Sequence, residues 1–155
     1  MGDQRKAPRF DDRRPASEHA SKAKRKNRRT DTRAEMLLRK ALWARGARYR
    51  LHARDLPGKP DLVFRGKRVA VFVDGDFWHG RDWEKNREKV ARRSNGDYWV
   101  AKIEYNMERD RHQTKALEAL GWTVLRFWET DVKKDLQEAV EAVLAAIASR
   151  NPGGG

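Results

Sequence analysis

Asp61-Leu-Val-Phe-Arg-Gly-Lys-Arg-Val69-Ala-Val-Phe-Val73 is the stretch from which the fold can be read. An apolar run at 62–64, a tight turn at Arg65-Gly66-Lys67 and a second apolar run at 69–73 predict two strands joined as a β-hairpin. The second run lacks polar alternation, so its strand should be buried. Upstream, Arg48-Tyr-Arg-Leu-His52 reads as another strand, set apart by a Pro57-Gly58 turn. Before it, Thr32 as N-cap and Glu35 three residues on form a capping box ahead of the stripe Met36, Leu37, Ala41, Leu42, and Gly46 suits the end of that helix. Downstream, residues 80–97 are charged and aperiodic, the pattern of a long loop or a short polar helix. Val100, Ile103, Met107, Leu117 and Leu120 place a helix over 98–121, and Trp122–Trp128 follows as a strand. Val132, Leu136, Val140, Val143, Leu144 and Ile147 predict a last helix over about 132–148, ending before Asn151-Pro152. The order α, β-hairpin, α, β, α gives an α/β fold with a mixed central sheet flanked by helices.

The 155 residues allow one domain with one modest core. We expect a basic, disordered arm at 1–30, a folded domain at 31–149 and a flexible tail at 150–155. The arm has almost no large apolar side chains beyond Met1 and Phe10, so it cannot offset its ordering entropy. Over residues 1–33, 12 Lys and Arg oppose 5 Asp and Glu, more than half of the chain's net charge of +13. Such an arm, with Lys24, Arg25, Lys26, Arg28 and Arg29 as its densest cluster, would track DNA phosphates. A pI near 10.4 points to a polyanionic partner, and nucleic acid is the first candidate. Lys and Arg that merely solubilise the surface are the plain alternative. No long apolar run and no apolar segment near the N-terminus occur, which predicts a cytoplasmic protein with no membrane partner. Zero cysteines exclude disulfides and cysteine-based zinc, leaving carboxylates and four His as metal ligands. A metal held mainly by carboxylates is hard, and Mg²⁺ is favoured.

Phosphodiester hydrolysis requires carboxylates for a divalent cation, a base for the attacking water and positive charge at the phosphate. Asp61 opens one hairpin strand and Asp74 ends its partner, so antiparallel pairing would bring them together. Two such carboxylates repel unless a cation lies between them; otherwise they are ordinary turn residues. His79 places a titratable base five residues beyond Asp74. Asp110 falls on the inward stripe of its helix and needs a partner, which could be His79, Arg109, Arg111 or a backbone amide. Glu35 is fully explained by its capping box. Phe77, Trp78, Tyr98 and Trp99 flank the charged segment and are either core or base-stacking residues. His19, His52 and His112 form no pattern.

Six blocks, Asp31-Thr-Arg-Ala-Glu35, Leu56-Pro-Gly-Lys-Pro-Asp61, Val71-Phe-Val-Asp-Gly-Asp-Phe-Trp-His79, Tyr98-Trp-Val-Ala-Lys-Ile103, Asn106-Met-Glu-Arg-Asp110 and Gly121-Trp-Thr-Val-Leu-Arg-Phe-Trp-Glu129, stand in one order. Together they resemble the very short patch repair (Vsr) endonucleases over residues 31–130. The resemblance implies a PD-(D/E)xK-like nuclease fold and a Mg²⁺-dependent nick beside a T:G mismatch left by deamination of 5-methylcytosine. It implies Asp61 as principal metal ligand with the Val73 carbonyl, His79 as general base oriented by Asp110, and Glu35 holding water on the metal. Phe77, Trp78 and Trp99 would match aromatics that wedge into DNA.

The chain departs from the family at several positions. The usual Cys and His zinc ligands are replaced by Asp76, Arg81, Trp83 and Thr130, so no structural zinc is expected and packing or salt bridges must hold the loop. Asp74 stands where a second active-site His is usual and could ligate metal directly, and Asp76 is nearest to the usual Lys. Lys24 lies near the position of an intercalating apolar residue. The reading is thus an endonuclease nicking at or near T:G mismatches. The alternatives are a Vsr-type nuclease with a restriction, defence or homing target, and a non-catalytic DNA-binding module, against which Asp61, His79 and Asp110 argue. Double-stranded DNA is the expected partner, the enzyme is expected to be monomeric, and recruiting proteins of mismatch repair are candidate partners.

Overall fold

A computed structural model of the protein describes residues 31–150. The basic arm, with Lys24, Arg25, Lys26, Arg28 and Arg29, and the tail beyond residue 150 lie outside the described residues. The hairpin forms as expected: β2 (Leu62–Phe64) and β3 (Val69–Asp74) pair antiparallel through a 3₁₀ turn at Arg65–Lys67. All six residues of β3 are buried, as the unbroken apolar run requires. β1 (Arg50–Leu51) is much shorter than the expected 48–52 strand. Its far end is set by His52, whose left-handed backbone (φ 47°) turns the chain away while its amide still bonds to the Asp61 carbonyl. β4 (Thr123–Trp128) lies parallel to β3, giving a mixed sheet in the order β1-β2-β3-β4.

Helices cover both sheet faces. On one, α1 (Arg33–Ala44) packs Ala34, Leu38 and Leu42 against Leu62, Phe64, Val69, Val71 and Val73, together with Val132, Ala139, Val140 and Val143. On the other, Leu117 of α3 (Gly96–Ala119) meets Val63, Ala70 and Phe72. The alternation along β3 explains the division: odd-numbered valines face one layer, and Ala70 and Phe72 face the other. α3 returns the chain between the parallel β3 and β4 and packs Leu117 on Ala70, Phe72 and Val124.

One segment resolves a reading the sequence left open, and another differs from expectation. Of the two readings left open for 80–97, the short polar helix is the one adopted: α2 (Trp83–Ala91) buries Val90 against Val100 and Ile103 of α3. The single helix expected over 132–148 is two helices, α4 (Glu129–Lys134) and α5 (Leu136–Ser149). The apolar periodicity continues across the break, but Asp135 leaves helical geometry and caps α5 by accepting from the Glu138 amide (3.1 Å). No described helix is long and apolar enough to cross a membrane.

The α2–α3 corner depends on Gly96, where a Cβ would lie 1.9 Å from the Ala91 carbonyl oxygen. Gly96→Ala is therefore expected to cost about 1–3 kcal/mol or more, read as a lower urea midpoint, because backbone rather than a flexible side chain must move.

Candidate active site

Where β2 begins and β3 ends, the carboxylates of Asp61, Glu35 and Asp74 gather, the latter two paired with Arg39 and Arg126. Asp61 is buried, and its Oδ2 accepts a hydrogen bond from the Val73 amide at 2.7 Å. That bond favours the ionised form, but burial outweighs it, and the nearby carboxylates of Glu35 and Asp74 add repulsion; together they push the Asp61 carboxyl up to about 8. Its oxygens, with those of Glu35 beside it, are donors that a cation could use. Those donors are hard, which fits Mg²⁺ and does not fit a soft metal.

Glu35 reaches this cluster from the first turn of α1 and is 1% exposed. Thr32 caps the helix as expected, its Oγ1 accepting from the Glu35 amide at 3.2 Å. The return bond runs to the Asp31 amide (3.3 Å) rather than to that of Thr32. Arg39 Nη1 donates to Glu35 at 3.0 Å and to Asp31 at 2.8 Å, and His52 Nε2 stands 3.0 Å from Glu35 Oε2. Asp31, Glu35 and His52 place one ligand atom each within 4.8 Å of one another, but the Arg39 guanidinium already supplies positive charge there. The cluster therefore orients Glu35. His52 had no sequence signal, since its contact depends on the left-handed backbone at the end of β1.

Asp74, the last residue of β3, has both oxygens hydrogen-bonded to Arg126 of β4, at 2.9 and 3.3 Å. This pairing fixes the Asp74 carboxylate against β4. The same guanidinium bonds to Thr114 at 2.9 Å, contacts Asp110 Oδ1 at 3.2 Å and stacks 4.0 Å from the Phe72 ring centre. Arg126 thus ties β3, β4 and α3 together. Its signal was a charged residue in the interior of an otherwise apolar strand.

His79 Nδ1 is hydrogen-bonded to Asp110 Oδ2 and lies 3.7 Å from Asp74 Oδ1. A carboxylate on Nδ1 holds the proton there, leaving the Nε2 lone pair to accept another. Among the described residues no protein group bonds to Nε2. Of the candidates named for Asp110, His79 is the partner found, and Arg126, which was not among them, is a second. Beside His79, Glu129 is raised chiefly by burial, with Asp76 and Asp74 adding to the rise.

Phe77, Trp78 and Trp99 form one edge-to-face cluster, with ring centres 5.2–5.9 Å apart, and Tyr98 joins at 5.0 Å from Trp99. Arg93 lies 5.2 Å from the Phe77 ring centre. All three of the former rings are partly exposed, next to His79.

Converging carboxylates, a His79–Asp110 dyad and a partly exposed aromatic platform suit hydrolysis of a phosphodiester in DNA. A family profile described as "DNA mismatch endonuclease Vsr" matches residues 15–85. The chain is 43% identical over 133 residues to the Type II nicking enzyme V.NmeDIP of Neisseria meningitidis serogroup C, covering 86% of this chain and 88% of that protein. This chain belongs to the Vsr family.

A second relative of the family, the Type II nicking enzyme V.HpaIIP of Haemophilus parainfluenzae, is 43% identical over 129 residues (83% and 89% of the two chains). DNA mismatch endonuclease Vsr of Escherichia coli strain K12 is 36% identical over 99 residues (64% and 62%). As a Vsr-family member the chain is a DNA endonuclease, and DNA is its substrate. The zinc implied for the family does not fit here. Of the four matching positions, Trp83 donates its indole N–H to Glu104 at 3.0 Å, and the cationic Arg81 sits between Asp76 and Thr130.

Proposed function

We propose that this Vsr-family protein nicks one strand of double-stranded DNA at T:G mismatches, with Mg²⁺ held by Asp61. The observation that carries this reading is the juxtaposition of the buried Asp61 with the His79–Asp110 dyad through Asp74. Asp61 and the Val73 carbonyl would hold the cation, with Glu35 orienting water beside it. Mg²⁺, when bound, would neutralise the scissile phosphate and stabilise charge on the leaving oxygen.

His79 takes the proton of the attacking water at Nε2, and Asp110 stabilises the imidazolium from the Nδ1 side. Arg126 keeps Asp110 and Asp74 in place, so that neither carboxylate turns toward Asp61. Phe77, Trp78 and Trp99 offer faces on which displaced bases can stack, and a mispaired base is the least costly to displace. The basic arm, including Lys24, Arg25, Lys26, Arg28 and Arg29, adds salt-sensitive phosphate contacts. One such site cuts one strand, so a monomer suffices, and proteins that process the nick are the expected partners.

The names of most relatives favour a second reading, in which the nick falls at a particular matched sequence. Purified protein with Mg²⁺ and end-labelled duplexes separates the two. Nicking of the T:G duplex well above its T:A counterpart is expected; equal nicking of both removes mismatch selection, and nicking of neither removes the activity.

A further inference from the structure

The segment Gly75–Asp82, which carries His79 with Phe77 and Trp78, consists of turns and adds no strand to the sheet. Besides the His79–Asp110 bond and the packing of Phe77 and Trp78 on Trp99, it is held at its two ends and at one carbonyl, where Asn106 Nδ2 donates to the Trp78 oxygen at 3.0 Å. At one end Asp76 accepts from the Thr130 amide (3.2 Å) and the Thr130 hydroxyl. At the other, Arg81 Nη1 donates to Asp76 Oδ2 (3.0 Å) and Thr130 Oγ1 (2.8 Å) and pairs with Asp131 Oδ1 (2.9 Å). The Arg81 amide also bonds to the Asp76 carbonyl at 3.0 Å, closing the segment on itself. Thr130 and Asp131 belong to α4, whose Val132 is fully buried in the core. A loop without its own ladder is thereby joined to a rigid element by one nitrogen atom and one carboxylate.

We propose that Arg81 is a positioning residue which, with Asp76, Thr130 and Asp131, clamps the segment to α4 and so sets where the His79 imidazole stands. This rests on the assignment of His79 as the base. Partial burial works against the Asp76 charge, but the bonds from Thr130 and Arg81 prevail and hold its carboxyl below the ordinary range, so the clamp stays ionised. Displacement of a catalytic group by about 1 Å can cost on the order of a hundredfold in rate.

Single-turnover nicking and DNA affinity, the latter by fluorescence anisotropy without divalent cation, are measured for Arg81→Ala, Arg81→Lys, His79→Ala and the double variant. Arg81→Ala is expected to nick about 10–100-fold more slowly with unchanged DNA affinity. Arg81→Lys should recover most of the rate, because all three side-chain contacts are made by one nitrogen that an ammonium can replace. In the His79→Ala background, Arg81→Ala should cost nothing further, since there is no imidazole left to position. A full rate in Arg81→Ala, the same loss in both backgrounds, or a loss that follows DNA affinity overturns the clamp. Should Arg81→Ala melt below assay temperature, Thr130→Val carries the test: it removes only the hydroxyl bonds, slower nicking supports the clamp and a full rate overturns it. His79→Ala nicking at the parental rate removes the base assignment itself, whereas a slow His79→Ala beside a fast Arg81→Ala removes the clamp alone.

Discussion

Asp61→Asn is expected to abolish nicking and, at the same time, to make the metal-free protein more stable. The first effect follows from losing the principal charged ligand, roughly a thousandfold or more in rate. The second follows from burial. The folded chain holds a proton on Asp61 up to about pH 8, whereas the unfolded chain releases it near pH 4. Between these values the folded state binds more protons, so metal-free stability falls as pH rises through the window, by on the order of 1 kcal/mol per pH unit. Below about pH 4 both states are protonated and the penalty vanishes. Asparagine carries no charge at any pH and can still accept from the Val73 amide. Thermal melts in EDTA from pH 5 to 8.5 should therefore slope downward for the parent and run nearly flat and higher for Asp61→Asn. Added Mg²⁺ should raise the parent melt and leave the variant unmoved. A flat parental profile, or a variant less stable than the parent at pH 8, contradicts the account.

His79→Ala should lower the single-turnover rate about 10²–10⁴-fold, the usual contribution of a positioned general base. Asp110→Asn is expected to be nearly as damaging although it changes one atom. The amide can turn its NH₂ toward Nδ1, which moves the imidazole proton to Nε2 and removes the lone pair that should accept from water. The double variant should be no slower than either single one, because the two residues act as a unit. DNA binding without metal should be unaffected in all three. An Asp110→Asn enzyme at full rate, or losses that multiply in the double variant, would show that the pair does not work as a base and its orienter.

How much of this was legible in the sequence depended on how local the cause was. The hairpin, the Thr32 cap and the α3 stripe are written in neighbouring residues, and they form with small changes of boundary. The division at Asp135 escaped notice because the apolar period runs through it and only a capping aspartate marks the break. β1 stops before His52 because that residue adopts a positive φ, which a histidine does not announce. At the site, Asp61 and Asp74 could be placed near one another from strand pairing, and Asp110 could be turned inward from helix spacing. Arg126 could not be placed, since its partners lie on β3 and α3 and are brought to it only by the parallel register of β4. For the same reason the bond network at Asp76, Arg81 and Thr130 was foreseen only as a requirement that salt bridges or packing hold the loop.

The parallel pairing of Val69–Asp74 with Thr123–Trp128 has a consequence for the life of the polypeptide. Strands so far apart in sequence meet late, after the intervening helix has formed, because a large loop must close first. A nascent chain that has emerged only through α3 already contains Glu35, Asp61, His79 and Asp110, but not Arg126, which contacts both Asp74 and Asp110. Cutting power is therefore expected only once Thr123–Trp128 has been made and has paired with Val69–Asp74.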